Sequence, residues 1–162
     1  MPLQIRPALE SDVNTIFELT YALALYERKT PDQILVTEEK LRKRGFGPAK
    51  VFDAVIAFEN QVPCAMAVYF FMYAGSIGDP ILYIEDLFVL PEYRGRGIGT
   101  SLLAELSRIA SERECQRMEW HVFAWNTAAI RFYESIGSTV REDLKQVRLE
   151  SSLFSALQHR AL

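Results

Sequence analysis

Cysteine and histidine are scarce in this chain of 162 residues: two of each, Cys64 and Cys115, His121 and His159. The cysteines form no C-x-x-C pair, so neither a disulfide framework nor a zinc site is expected. Two histidines are too few for a His-based metal site, and no metal is expected at all. An excess of positive charge is lacking as well. Eighteen Lys and Arg against 21 Asp and Glu leave a net charge of −3, without the basic footprint that nucleic-acid binding requires. A mildly acidic chain suits a cationic substrate instead. No apolar run reaches membrane-spanning length, and the first residues show no charged-then-apolar leader. Membrane association is therefore not expected, and a cytoplasmic location is. Internal repeats, low-complexity tracts and linkers are also missing. What is there is ordinary globular sequence, 49% apolar and 24% charged. Its length suits one compact domain, residues 1–162, with enough chain to bury a core.

The chain is organised around Ile81–Ser101, ILYIEDLFVLPEYRGRGIGTS. Ile81–Val89 is rich in β-branched and aromatic residues and predicts a buried strand, which Pro91 ends. Arg94, Gly95, Arg96, Gly97, Ile98, Gly99 and Thr100 follow, and then an amphipathic run. A strand, a glycine loop and a helix start make an anion cradle of backbone N–H groups and a positive helix end. The glycines fall as G-x-G-x-G, which fits neither the dinucleotide fingerprint nor a P-loop, whose lysine is missing. The alternative to phosphate binding is a tight turn with two solvated arginines. Arg94-x-x-Gly97-x-Gly99 resembles the pyrophosphate loop of the GCN5-related N-acetyltransferases, which bind acetyl-CoA.

Around this centre the spacing predicts a mixed α/β sheet in the order β-α-α-β-β-β-α-β-α-β. Leu3–Arg6 is a short strand closed by Pro7. A helix capped at Ser11 or Asp12 buries Val13, Ile16, Phe17, Thr20 and Ala24 and ends near Tyr26. Thr37 caps a second helix, stopped by Gly45 as the residue past its end. Val51–Phe58 and Val62–Tyr73 form an antiparallel hairpin turned at Asn60-Gln61, and 75–80 is a turn. A helix runs from about Ile98 to Arg113, and Met118–Ala124 is a strand. Asn126 or Thr127 caps a short helix that Gly137 stops. Val140–Arg141 and Gln146–Leu149 read as short strands, and Ser151–Arg160 as a last helix.

Glu85 and Asp86 interrupt an otherwise apolar strand. A buried carboxylate is costly unless paired, protonated or functional. Adjacent strand residues point to opposite faces, so only one of them faces a given cleft unless a bulge intervenes. A carboxylate beside the phosphate loop suits proton removal from an alkyl ammonium, whose pKa is near ~10.4. The structural alternative is an ion pair with Arg94 or Arg96. Asn126 and Tyr133 lie two helical turns apart, on one side of their helix. There a tyrosine suits protonation of a departing thiolate, and an asparagine suits a cofactor amide. Tyr133, between Phe132 and Ile136, equally suits a core.

Taken together, the chain is similar to the spermidine/spermine (diamine) N-acetyltransferases, a branch of the GCN5-related (GNAT) superfamily. The likeness rests on IRPA at 5–8, ALYE at 24–27, GFG at 45–47, LYIEDLFV at 82–89, YRGRGIG at 93–99 and WN…FYESIG between 125 and 137. It implies the GNAT fold and a homodimeric enzyme that moves acetyl from acetyl-CoA to a small primary amine. Leu87, Phe88 and Val89 would offer strand backbone to the pantetheine arm, and Arg94–Thr100 would hold the pyrophosphate. Asn126, Thr127, Ala128 and Ala129 would line the cofactor. Tyr133 would be the general acid and Glu85 a water-mediated base. Tyr26, Glu27, Glu85, Asp86, Glu119, Trp120, His121 and Glu142 would form the amine site. Ala74 and Ser76 replace an acidic residue and a tryptophan of the polyamine enzymes, Leu25 replaces a basic residue, and Leu144 another tryptophan. These losses bring shorter amines, a diamine or a thialysine-like amino acid, level with a long polycation. A protein or peptide N-acetyltransferase and a silent acetyl-CoA-binding module are the alternatives.

Overall fold

The structure, a computed structural model, describes residues 3–160. The chain forms two compact units, the first ending at His121 and the second beginning at Val122.

The first unit is a five-stranded sheet carrying three helices. In chain order its elements are β1 (Gln4–Pro7), α1 (Val13–Tyr26), α2 (Glu38–Gly45), β2 (Asp53–Glu59), β3 (Val62–Ala74), β4 (Asp79–Val89), α3 (Ile98–Glu112) and β5 (Met118–Trp120). The strands lie in sequence order; β1 to β4 pair antiparallel, and β4 pairs β5 in parallel. The helical spacing of Val13, Ile16, Leu19 and Leu23 buries one stripe of α1. That stripe packs with Ala54, Ile56, Met66, Val68 and Phe88 from β2, β3 and β4. Ile98, Leu102, Leu103, Leu106 and Ala110 form the corresponding buried stripe of α3. The β2–β3 turn holds Asn60 and Gln61 at φ 53° and 67°, the backbone twist that a two-residue hairpin demands.

Several boundaries differ from the sequence expectation, each for a local reason. Pro7 is the last residue of β1 rather than its terminator, because β1 is an edge strand and a missing N–H costs nothing on the open side. Pro80 belongs to β4, opposite Tyr73, again near a strand start. Asp12 occupies the N-cap position of α1 without capping it. Its carboxylate instead takes two hydrogen bonds from Arg6, at 2.7 and 2.9 Å, and one from the Leu9 N–H. The Arg6 guanidinium accordingly holds Asp12 below the usual carboxylate range. Gly45 ends α2 from inside rather than lying beyond it. The Phe52 ring presses so closely that a Cβ on Gly45 would lie 2.6 Å from it. β5 is three residues long instead of seven.

The second unit holds α4 (Thr127–Ser135) and α5 (Phe154–Gln158). The Ala129 N–H donates to Asn126 Oδ1 at 3.3 Å, so Asn126 is the cap. Gly137 at φ 91° closes α4, with Ser138 N–H to Tyr133 O and Gly137 N–H to Glu134 O. This is a Schellman pair, which needs a left-handed residue at that point. Val140–Arg141 and Gln146–Leu149 form no ladder. β-propensity acts only where a neighbouring strand supplies partners, and none among the described residues does. The last helix is five residues, preceded by a single tight turn at Ser151–Leu153.

Candidate active site

The site grows from one irregularity in the β3–β4 ladder. Val68 pairs Asp86 and Tyr69 pairs Ile84, so Glu85 has no partner across the ladder. This is a β-bulge, one extra residue on β4, of the kind that re-aims side chains. On either side the alternation is regular. Phe88 and Asp86 lie opposite Met66 and Val68, and Tyr83 lies opposite Phe70, all on the sheet face that α1 covers at Met66, Val68 and Phe88. The bulge absorbs one reversal, so Glu85 and Asp86 both turn to this face. Glu85 is exposed and lines a pocket of about 440 Å³ with Val51, Phe52, Val68 and Phe70. Gly45 matters here because it lets Phe52 lie flat as a wall.

Asp86 is only partly exposed. Burial above all, then the charges of Glu85 and Glu27, push it up to about 7, with Lys29 pulling weakly the other way. Among the described residues neither carboxylate pairs with an arginine. Arg94 Nε donates to Val89 O at 2.9 Å, and its guanidinium lies over Tyr26 at 4.7 Å and over Phe88 at 5.6 Å. Arg96 bridges Glu59 at 2.8 Å and donates to Glu92 O at 3.0 Å. The arginines therefore tie the loop to the sheet, so an anion at this loop would be held by its backbone.

That backbone is shaped for the task. Gly95 and Gly97 are left-handed, at φ 75° and 78°, and a Cβ on either would meet nothing within 4 Å. Gly97 is the N-cap of α3, and the first N–H groups of a helix have no intrahelical partner. Ile98 is buried and fixes the helix, while Gly99 and Thr100 continue the first turn outward. β5 covers β4 only at Leu82–Ile84. Among the described residues no strand pairs with β4 beyond Ile84 on that side, so Leu87–Val89 is an open strand edge, along which Val89 O is taken by Arg94 Nε. An extended amide chain ending in a pyrophosphate fits this combination of open strand edge and glycine cradle.

The amine-site residues expected from the sequence separate into groups. Tyr26 lies 6.2 Å from Phe88, ring to ring, and Glu27 pairs with Lys29 at 3.5 Å, the charges of Glu27 and Lys29 acting on Asp86. Glu119 lies opposite Tyr83 and is held by Arg117 at 2.5 Å. His121 Nδ1 lies 2.6 Å from the Tyr83 hydroxyl. Trp120, opposite Ile84, turns to the other face by alternation. Tyr133 is buried on α4, 5.4 Å from the Phe132 ring. Thr127 and Ala128 are exposed in the first turn of α4, and Glu142 lies in exposed irregular chain. Sequence reasoning passed over Tyr83. Burial first, then Glu85 and Glu119, raise its phenol above its ordinary value. Two-residue alternation from Glu85 was the signal for it.

The environment of Asp86 has a measurable consequence. Its folded-state pKa lies above the unfolded one, so the folded chain holds that proton more tightly. The associated stability is present below the ordinary carboxylate range and is lost as pH rises through about 7. A rise of this size corresponds to roughly 4 kcal/mol at most. Asp86→Asn is expected to be more stable than the wild type at pH 8, with the gap closing toward pH 5. Urea unfolding at the two pH values checks it; a variant less stable at pH 8 would mean that the Asp86 carboxylate is favourably solvated or paired.

A sheet with a glycine cradle at a helix start, an open strand edge and two carboxylates on one face suits an acyl-CoA-dependent acyltransferase, and that class is the one comparison with known proteins gives. Residues 13–137 match the model of the Acetyltransferase (GNAT) family, and the chain belongs to that family. It is an N-acetyltransferase that takes acetyl from acetyl-CoA. The thialysine N-epsilon-acetyltransferase of Bos taurus is 35% identical over 144 residues, 84% of each chain. Among solved structures, an integron cassette protein from the mobile metagenome of V. cholerae superposes with a TM-score of 0.80, at 24% identity over 98% of both chains. An aminoglycoside N-acetyltransferase in complex with CoA gives 0.72, at 21% identity over 91% of this chain and 95% of that one.

Proposed function

We propose that the chain acetylates a primary amine of a small molecule: a polyamine, a diamine or a thialysine-like amino acid. The observation that carries this is the bulge at Glu85, which turns two carboxylates toward one face next to the cofactor loop. An ammonium must lose a proton before its nitrogen can attack, and carboxylates there both attract the cation and receive the proton. Acetyl-CoA supplies an activated thioester. Arg94–Thr100 would hold its pyrophosphate through backbone N–H groups, and Leu87–Val89 its amide arm. Asn126, Thr127, Ala128 and Ala129 are assigned to the cofactor, and Tyr133 to protonation of the leaving sulfur, by likeness to the family. Glu85 meets the ammonium and takes its proton through a water. Tyr26, Glu27, Asp86, Glu119 and His121 surround the amine. Trp120 and Glu142 keep that assignment from the family likeness alone.

A homodimer belongs to the same proposal. Val147, Leu149, Leu153, Phe154 and Leu157 are exposed and apolar, surface that a second copy would cover. Light scattering at micromolar concentration is expected to give twice the mass of one chain; a monomer at full activity would refute it. A cytoplasmic location is proposed too, since Cys64 and Cys115 are free thiols, the state that a reducing compartment maintains. Thiol release from acetyl-CoA, measured across spermidine, putrescine, ornithine, lysine and thialysine, tests the function. Turnover with at least one of them is expected. Turnover only with peptide N-termini would replace the small-molecule assignment.

A further inference from the structure

Asp86 is the oddest carboxylate among the described residues. It is partly buried, on the apolar face of the sheet, opposite Val68 and one pleat from Phe88. Yet no hydrogen bond or ion pair joins it to any described residue. The charges that act on it are mostly of its own sign: Glu85 on β4 and Glu27 just beyond α1, with Lys29 opposing them. Lys29 itself lies against Glu27, and Arg94 is engaged with Val89 and two rings. The facing residue of β3 is apolar. No fully buried side-chain oxygen is left without a partner among the described residues, so the unpaired Asp86 carboxylate is not wholly sealed from solvent. A structural carboxylate would have acquired a partner. This one is kept unpaired, next to a second carboxylate that the bulge turns the same way.

We infer that Asp86 is a second proton-accepting residue of the site, the one on which the proton of the substrate ammonium comes to rest, while Glu85 is the carboxylate that meets the ammonium. This rests on the acetyl-transfer function proposed above. One N–H bond of the ammonium breaks, and its proton passes by way of Glu85 and a water to the Asp86 carboxylate, which becomes a carboxylic acid. The nitrogen keeps the electron pair and forms the bond to the acetyl carbon. The carbon–sulfur bond breaks, and the sulfur leaves with its pair and a proton from Tyr133. The second nitrogen proton restores Tyr133 through solvent, and Asp86 returns its own to solvent before the next turnover.

The physical reason for dividing the work is the acceptor's strength. An alkyl ammonium at ~10.4 gives its proton very reluctantly to an ordinary carboxylate at about 4. Asp86, raised to about 7 by burial and by Glu85 and Glu27, halves that mismatch and sits near working pH, where a general base is most effective.

The test combines kinetics with direct titration. Carboxyl ¹³C NMR of the protein alone is expected to show a carboxylate with its midpoint near 7, absent in Asp86→Asn and moved down in Glu85→Gln and Glu27→Gln. With the amine that turns over best, kcat/KM of the wild type is expected to fall below that same pH. Asp86→Asn is expected to lower kcat by about 10²-fold or more and to carry the acid limb down toward the ordinary carboxylate range, and Asp86→Glu to restore part of the rate. An Asp86 titrating near 4 in a chain that transfers acetyl overturns the inference and leaves the function standing. So does Asp86→Asn raising the amine KM with kcat and its pH profile unchanged, since that is binding alone. A wild type that releases thiol with no amine overturns acetyl transfer to amines, and the proton's source with it, whatever Asp86 titrates.

Discussion

Gly97→Asp is expected to abolish acetyl-CoA binding while leaving the chain folded. Gly97 has φ 78°, and a Cβ there would meet no atom of the protein within 4 Å. The new side chain is therefore not pushed into the core; it enters the space in front of the loop. That space is bounded by the N-terminus of α3, where the orphan N–H groups favour an anion. A carboxylate placed there takes those donors for itself and repels a pyrophosphate. Hydrogen bonds to charged groups are worth about 1.5–3 kcal/mol each, so losing two weakens binding by about 10²-fold or more. Gly97→Ala separates the effects, because it carries the left-handed strain, of order 1–2 kcal/mol, without the charge. Calorimetry on both variants, with circular dichroism to confirm the fold, is the check. Unchanged affinity in folded Gly97→Asp would remove the loop from the cofactor site.

Tyr133→Phe has the second large effect. The substitution removes one hydroxyl and almost no volume, so a buried position tolerates it well. If Tyr133 protonates the leaving sulfur, kcat falls by about 10²–10⁴-fold while acetyl-CoA affinity barely moves. A purely structural Tyr133 gives the opposite pattern, a small loss of stability with kcat retained. Single-turnover kinetics ensure that chemistry, and not product release, is being compared. Near-full kcat in that regime would return Tyr133 to the core of the second unit, beside Phe132.

The two variants rest on parts of the chain that were differently legible. The glycine loop was readable because its chemistry is local: Arg94, Gly95 and Gly97 set a backbone path by themselves, and the left-handed φ values follow from residue type. The amphipathic helices were readable for the same reason, as Val13, Ile16 and Leu102, Leu106 repeat with the helical period. The caps at Thr37 and Asn126 and the stop at Gly137 are local too. The bulge at Glu85 was not readable, because it is a property of two strands. LYIED alternates normally within itself, and only the register against Val68 and Tyr69 shows that one residue is extra. The relation between Glu85 and Asp86 therefore stood as an open choice in the sequence and is resolved only by the ladder.

The same limit explains the missing strands. Val140–Arg141 and Gln146–Leu149 have strand-like composition, but a strand is an agreement between neighbours, and none among the described residues pairs with them. Tyr83 illustrates a middle case. Its position two residues before Glu85 was visible, but its contacts with Phe70, 5.1 Å away, and with His121 are tertiary. Arg94 and Arg96 stand in the loop, but their side chains grip Val89, Glu59 and Glu92, contacts that no local pattern shows. The Phe52 wall of the pocket depends on Gly45, seven residues away, and no periodicity connects the two.

Transfer of isotope-labelled acetyl tests the central claim most directly. The chain is incubated with acetyl-labelled acetyl-CoA and the best amine of the panel, and the label and the free thiol are followed together. One labelled acetyl on the amine nitrogen is expected for each thiol released, with both rates falling together in Tyr133→Phe. Thiol released at the same rate without amine, or label that stays on the protein, would contradict amine acetylation as the reaction of this site.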